Sequence, residues 1–195
     1  MGSSRAAAMS VPGEAMNEVA GQTSDDRVLD FRPAIAMRWE ITRGSADTGG
    51  ALFETVWWVG PHTGGPPIHL HPTAEESYEV LEGTQEVFID GRWSTLHPGE
   101  KVTVPPGTRH TLRNSSDADV RLINIHQPAL RIEQMFRDLH RLTSSGKVKR
   151  LPPQDPRSLI YLGMLFARYS DEQYTTPRGI FTILSLVGRA LGMRG

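Results

Sequence analysis

The sequence predicts an all-β sandwich or barrel that is followed by a helical extension. Short segments with alternating apolar and polar residues recur from Val28 to His126, and turns rich in glycine, proline and aspartate separate them. After Pro128 the apolar period changes from that of a strand to that of a helix. Many short strands with regular turns are typical of a sandwich or barrel, and the change of period marks where the extension begins.

Each predicted strand is a run of alternating or β-branched residues between two turn signals. The predicted strands cover residues 36–42, 52–59, 77–81, 85–89, 101–104, 109–112 and 120–126. Asp90-Gly91 is a strong hairpin signal, because both residues tolerate the positive φ angles of a tight turn. The clusters 82–84 and 97–100 are the other marked turns.

The extension is predicted to contain three helices. Apolar residues at helical spacing predict the first, which Ser144-Ser145-Gly146 ends. The second begins with Asp155 as cap and Pro156 in the first turn and runs to about Tyr169. The third begins at Thr176 and Pro177 and runs to Leu191. The last two are apolar on nearly all sides, so we expect them to cover the outer face of the barrel, form a dimer interface or close the barrel mouth, with a membrane-surface role as a minor alternative.

The chain of 195 residues is predicted to hold one folded domain with two appendages. Residues 1–26 lack an apolar run long enough for a signal peptide and are predicted to be mostly disordered. Residues 27–130 form the predicted barrel, and residues 131–195 form the helical extension that packs on the barrel or on a dimer partner.

Composition excludes several classes of partner. The 21 basic residues balance 22 acidic ones, so the charge does not favour nucleic acid or an anionic membrane surface. No segment reaches the roughly 20 apolar residues of a membrane span. The absence of cysteine excludes thiolate ligands and disulfides and is compatible with a cytoplasmic protein. The expected partner is therefore a small, weakly charged molecule.

Three histidines and one glutamate form the strongest functional signal. His69 and His71 project from the same face if they lie on a strand, because side chains there repeat every second residue. Glu76 follows after a turn, and His110 comes from a segment that begins after Pro105-Pro106-Gly107. Imidazole and carboxylate groups suit iron, manganese, nickel, cobalt, copper or zinc. Four such ligands leave two positions of an octahedral ion open, which is typical of a catalytic site.

The spacing of these residues resembles the two motifs of the cupin superfamily. His69, His71, Glu76 and Gly83 match the first motif, although Thr63 stands where that motif begins with glycine. Gly99, Pro105, Gly107, His110 and Asn114 match the second motif completely. The resemblance covers roughly residues 28–130. It implies a cupin jelly-roll β-barrel, a divalent iron, manganese, nickel or zinc ion and a homodimer.

The resemblance leaves the reaction open. The prediction with most support is a metal-dependent enzyme acting on a small organic molecule, of dioxygenase type. An isomerase, epimerase or cyclase, in which the ion polarises a carbonyl, is an alternative. A non-catalytic cupin that binds a small ligand is another, but the sequence shows no attached DNA-binding helix to act as its effector.

Strand alternation predicts which side chains surround the metal. With Glu76 and His110 facing inward, Tyr78 and Leu112 also face inward. Tyr78 is a candidate catalytic acid or hydrogen-bond donor, and a core aromatic residue is the alternative.

One face of the strand 52–59 must line the barrel, and this face carries either Phe53 and Trp57 or Glu54 and Trp58. We predict a substrate pocket formed by Phe53, Trp57, Tyr78 and Leu112, which would suit a planar or apolar molecule. His62 and His126 are expected to be surface or structural residues and not further ligands.

Overall fold

Two antiparallel sheets form the barrel in the computed structural model, which describes residues 24–175 and 179–194. A short 3-10 turn, Ser24–Arg27, precedes the first strand. The strands are β1 (Val28–Asp30), β2 (Met37–Arg43), β3 (Phe53–Val59), β4 (Thr63–Gly64), β5 (Glu75–Glu82), β6 (Gln85–Ile89), β7 (Arg92–Leu96), β8 (Lys101–Val104), β9 (His110–Asn114) and β10 (Val120–Gln127). The helices are α1 (Ile132–Ser144), α2 (Pro156–Arg168) and α3 (Gly179–Ala190).

The strand order is that of a jelly roll with a helical extension, as predicted. One sheet has the order β1-β2-β3-β10-β5-β8, and the other has the order β4-β9-β6-β7. Neighbours that are distant in sequence, such as β3 beside β10 and β6 beside β9, close the two sheets over a common core. The predicted disorder of residues 1–26 falls almost wholly on residues that lie outside the described part of the chain.

The hairpin at Asp90-Gly91 confirms its prediction, since both residues have positive φ angles and Ile89 pairs with Arg92. Its second strand, β7, was not predicted, because four of its five residues are exposed and its sequence lacks an apolar face. The short strands β1 and β4 were also missed. Short edge strands carry too few residues to show a period.

The alternating burial of side chains along β3 shows which face of that strand lies inside the barrel. Phe53, Thr55, Trp57 and Val59 are buried, whereas Glu54 and Trp58 are only half-buried. Trp57 stacks on Trp39 of β2, with ring centroids 4.3 Å apart and an interplanar angle of 12°. The Phe53 and Trp57 face therefore belongs to the barrel interior.

The helical extension follows its sequence signals closely. Asp155 caps α2 by accepting a hydrogen bond from the Ser158 amide at 2.9 Å, and Pro156 opens the helix. The predicted start of the third helix, at Thr176 and Pro177, lies outside the described residues. No helix within the described ranges has the length and apolar character needed to cross a membrane.

Helices α2 and α3 of the extension pack closely against each other. Gly163 on α2 faces Leu184 on α3, and a Cβ atom at position 163 would lie 2.4 Å from the Leu184 Cβ. Only glycine allows this approach. The packing directs Phe166 of α2 and Phe181 of α3 towards the barrel, where both line a cavity together with residues of α1.

Candidate metal centre

The four residues singled out by the sequence lie together inside the barrel. One nitrogen or oxygen atom from each of His69, His71, Glu76 and His110 lies within 4.8 Å of the corresponding atoms of the other three. None of the four residues exposes more than 4% of its surface. The arrangement suits a single buried ion and confirms that these residues are neighbours.

His69 and His71 lie on an extended segment and not on a regular strand as predicted. His69 forms an isolated bridge with His110, with hydrogen bonds of 3.0 and 2.8 Å in the two directions. Gly107 donates to the His71 carbonyl at 2.8 Å and has a φ of 77°, which the turn after Pro105 and Pro106 requires. The turn therefore connects the segment that carries His71 to the segment that carries His110.

Each of the three imidazole rings is oriented by a backbone carbonyl. Nδ1 of His69 lies 2.9 Å from the Pro67 oxygen, and Nδ1 of His110 lies 2.9 Å from the Thr108 oxygen. Nδ1 of His71 lies 2.8 Å from the Glu172 oxygen. Because a carbonyl can only accept, each Nδ1 carries a proton and donates it. A neutral ring in this tautomer directs an unprotonated Nε2 at the centre, as a metal-binding histidine does.

The hydrogen-bonding pattern of the site fits a bound cation. Nε2 of His110 lies 2.6 Å from the Glu76 Oε2 atom, and Nε2 of His71 lies 3.1 Å from it. In His71 and His110, both ring nitrogens therefore face hydrogen-bond acceptors, whereas a neutral imidazole has only one proton. A divalent ion between the Nε2 atoms and the carboxylate would satisfy all of them, and this donor set is one that first-row metals accept.

Electrostatics keeps His69 neutral and Glu76 ionised, which are the protonation states that metal ligands need. Burial lowers the pKa of His69 well below its usual range, and the nearby His110 and His71 lower it further. Burial opposes ionisation of Glu76, but the surrounding imidazoles hold its pKa well below the ordinary value. Burial also acts against charge on His110, yet its hydrogen bond to Glu76 raises its pKa. An ionised carboxylate is thus enclosed by groups that can donate nitrogen lone pairs.

Two residues of β10 complete the surroundings of Glu76, and neither was predicted there. Asn124 donates from Nδ2 to Glu76 Oε1 at 2.7 Å. His126 is fully buried opposite Glu76 on the neighbouring strand, and its Nε2 lies 3.2 Å from the same oxygen. Burial lowers the pKa of His126. Its Nδ1 has no hydrogen-bond partner among the described residues, and its Nε2 contacts the Glu76 carboxylate without the alignment of a hydrogen bond, so a further imidazole lies beside the cluster.

The other extra histidine lies where it was expected. His62 is exposed and pairs with Asp117 at 2.8 Å. The alternation of Leu122, Asn124 and His126 on β10 is the signal that could have placed the last two inside the barrel.

A cavity of about 440 Å³ lies beside the cluster. His69, His71 and Glu76 form its polar side. Trp57 and Tyr78, two of the predicted pocket residues, line it. Burial raises the pKa of Tyr78 well above its usual range, and the negative charge of neighbouring Glu76 raises it further, so the phenol keeps its proton.

The other two predicted pocket residues do not line this cavity. Phe53 is buried behind His126 and packs on Phe136 at a centroid distance of 5.7 Å. Leu112 is buried under the backbone of Gly65. Both face the interior as predicted, but neighbouring residues separate them from the open space.

Comparison with known proteins agrees with the motifs. Residues 55–126 match the family model of the cupin domain. The chain is 36% identical over 67 residues to quercetin 2,3-dioxygenase of Bacillus subtilis, which covers 34% of this chain and 20% of that protein. It is also 36% identical over 55 residues to the polyketide synthase CurC of Streptomyces cyaneus, covering 28% of this chain and 36% of that protein. It therefore spans about a fifth to about a third of these curated relatives.

One solved structure is similar to this chain over about half of its length. An RmlC-like cupin from Shewanella frigidimarina superposes with a TM-score of 0.45 at 20% identity, over 54% of this chain and 86% of that one.

Proposed function

Because the barrel of this chain belongs to the cupin superfamily, we propose that the protein is a metal-dependent enzyme that acts on a small organic molecule by dioxygenase-type oxidoreduction. In this proposal His69, His71, Glu76 and His110 hold one divalent ion of iron, manganese, nickel or zinc. When bound, any of these ions would supply a Lewis acid, and iron or manganese would also supply a redox centre for chemistry with dioxygen.

The position of the cluster against an aromatic cavity is the observation that carries this proposal. The cavity has three of the four cluster residues on one side and the stacked rings of Trp39 and Trp57 on another. Helices α1, α2 and α3 supply apolar side chains that exclude water from the remaining side. Such a site binds substrate next to the ion and shields it from solvent.

The lining also indicates the class of substrate. Among the described residues that line the cavity, none is lysine or arginine, so nothing there pairs with a phosphate or a carboxylate. Flat indole and phenyl rings favour a planar molecule with offset stacking. We therefore propose an uncharged, planar and largely apolar substrate. The short matching stretch in quercetin 2,3-dioxygenase supports the same class of reaction.

Tyr78 has a defined part in this proposal. Its high pKa keeps the phenol neutral at ordinary pH, and it lies two residues from Glu76 on the inward face of β5. A neutral phenol in the cavity wall can donate a hydrogen bond to a substrate oxygen without taking a charge into an apolar space. Tyr78 as the catalytic hydrogen-bond donor therefore stays our prediction.

The test is a joint measurement of metal content and oxygen uptake. We expect protein purified without chelator to contain about one iron or manganese ion per chain by plasma mass spectrometry. We expect oxygen consumption with a flavonol or a diketone only when ion and substrate are both present. The Tyr78→Phe variant should lower kcat by about 100-fold and keep its metal, because it removes only a proton donor.

Other outcomes would redirect or end the proposal. Stoichiometric zinc or nickel without oxygen uptake would favour the isomerase, epimerase or cyclase alternative. A chain that binds its planar ligand without turnover would favour the non-catalytic alternative. A wild-type chain that takes up no ion after incubation with each metal would contradict a metal centre altogether.

We also propose that the protein is a homodimer that associates through α3. This helix buries Ser185 and Gly188 but exposes a row of apolar side chains, of which Ile183 and Leu186 are each at least 60% exposed. Leu191, directly after the helix, is 65% exposed. Exposed apolar rows of this kind favour association with an apolar partner, and the same row on a second copy is one.

Introducing negative charge on the exposed face of α3 tests this proposal. We expect the double variant Ile183→Glu and Leu186→Glu to convert the dimer to a monomer in light scattering coupled to size exclusion. A matched control is Glu79→Gln together with Glu82→Gln on β5, which should leave the mass unchanged. A wild-type chain that is monomeric at high concentration would contradict the dimer.

A further inference from the structure

The extension is fastened to the metal centre by the segment that follows α2. We name residues 169–174 the docking segment. Tyr174 pairs with Leu70 by two backbone hydrogen bonds of 3.1 Å, and Leu70 lies between His69 and His71. Glu172 and Gln173 are buried, each exposing only 5% of its surface. The docking segment thus lies directly against the segment that carries two of the cluster histidines.

The docking segment supplies what one ring needs for its orientation. His69 and His110 donate to carbonyls two residues before them in their own segments. His71 instead donates to the carbonyl of Glu172, which is 101 residues away in the chain. The tautomer and orientation of His71 therefore depend on the extension, whereas the other two rings are fixed within the barrel.

Arg131, immediately before α1, holds the docking segment in place. Its Nε donates to the Glu172 Oε1 atom at 2.9 Å, and its terminal nitrogen lies 2.5 Å from Asp171. Its guanidinium also lies 5.0 Å from the centroid of the Tyr169 ring, whose hydroxyl donates to Asp138 at 2.6 Å. The Glu172 carboxylate is buried at 6% exposure, while Asp171 is 68% exposed, so the first pair anchors more strongly than the second.

We propose that Glu172, anchored by Arg131, is a positioning residue of the metal centre, so that docking of the C-terminal extension and metal binding stabilise each other. The inference rests on the proposed metal site. Docking and metal binding are thermodynamically linked in this proposal. If docking orients His71 and so raises the affinity for the ion, the bound ion must favour docking by the same factor. Docking of the extension over the cavity is then more stable when the centre holds an ion.

The first test measures cobalt(II) binding, because the visible spectrum of that ion reports its ligand geometry. Glu172→Ala and Arg131→Ala both keep the Glu172 carbonyl but release the segment that holds it against His71. We expect each to weaken cobalt(II) affinity by about 10-fold and to alter the spectrum. Asp171→Ala is the matched control and should change affinity by less than about threefold. Glu172→Gln keeps an oxygen acceptor for Arg131 and should restore most of the affinity.

The second test needs no variant and uses the wild-type chain. We expect cobalt(II) or zinc(II) to slow trypsin cleavage at Arg168, which precedes the docking segment, by about 10-fold or more. Cleavage at Arg92 in the exposed β6–β7 hairpin should respond much less, since that hairpin is held in place by its pairing with β9.

The outcomes separate this inference from the proposed function. Wild-type affinity and spectra in folded Glu172→Ala and Arg131→Ala would overturn the positioning role while leaving the metal site intact. Equal cleavage at Arg168 with and without a bound ion would overturn the linkage even if those variants fail to fold. A wild-type chain that binds no ion would instead remove the metal centre on which the inference rests.

Discussion

Replacing Glu76 by glutamine is expected to abolish stable metal binding. Glu76 is the only carboxylate in the four-residue cluster, and its two oxygens face His71 and His110 on one side and Asn124 on the other. Glutamine has nearly the same shape but no charge, so it neutralises none of the ion's charge. We expect affinity to fall by more than about 100-fold, because changes behind a ligand alone cost about 10- to 100-fold.

Metal content and thermal stability would measure this loss. An ion that binds only the folded chain stabilises it by about 2.7 kcal/mol at a free concentration of 100 times Kd, so the wild-type melting temperature should rise when metal is added. The Glu76→Gln variant should show no rise at the same concentration. Glu75→Gln is the matched control, since Glu75 is the adjacent but exposed residue of β5. Full occupancy and an unchanged rise in Glu76→Gln would contradict the ligand assignment.

The cluster could be predicted because short-range rules determine most of it. The pair His69 and His71 needs only an extended backbone to share a face, and a bridge to His110 provides that backbone without a full strand. The turn before His110 needs only the conformational preferences of proline and glycine. Local sequence therefore indicated the positions of the four cluster residues, even though the predicted strand at residues 69–71 is a single bridge in the fold.

The contribution of β10 could not be predicted in the same way. Asn124 and His126 reach Glu76 because β10 pairs with β5 in a particular register, with His126 opposite Glu76. Register between strands about 50 residues apart depends on the packing of the whole barrel. A histidine alone on an alternating strand gives no indication of which other strand it will face.

The sequence also left open which part of the barrel the helical extension covers. Apolar periodicity predicted the helices and their caps but not what they cover, because a helix that is apolar on all sides can pack in several ways. The structure places Phe136, Phe166 and Phe181 in the cavity wall, and the barrel mouth was one of the three locations that the sequence left open. The contact between Glu172 and His71 is a backbone interaction, so side-chain identity gave no signal for it.

The aromatic wall of the cavity supports the second large prediction, which concerns neighbouring tryptophans on β3. Trp57 is buried, stacks on Trp39, meets the Tyr78 ring edge-on at 6.3 Å and donates from Nε1 to Thr55 at 2.7 Å. Trp58, one residue later, is half-buried on the opposite face, where the Arg38 guanidinium lies 4.7 Å from its ring. The two residues share chemistry and strand, and they differ in the face they occupy.

We expect Trp57→Ala to lower the free energy of unfolding by about 3–5 kcal/mol, because it leaves a cavity between two sheets and removes the hydrogen bond to Thr55. Trp58→Ala should cost only about 1 kcal/mol, which is the scale of an exposed cation–π contact and partial burial. Urea titration of both variants, with the slope compared as a check on two-state unfolding, measures the difference. Equal losses would mean that both faces of β3 are packed to the same degree, and the aromatic wall proposed for the substrate cavity would then lose its structural basis.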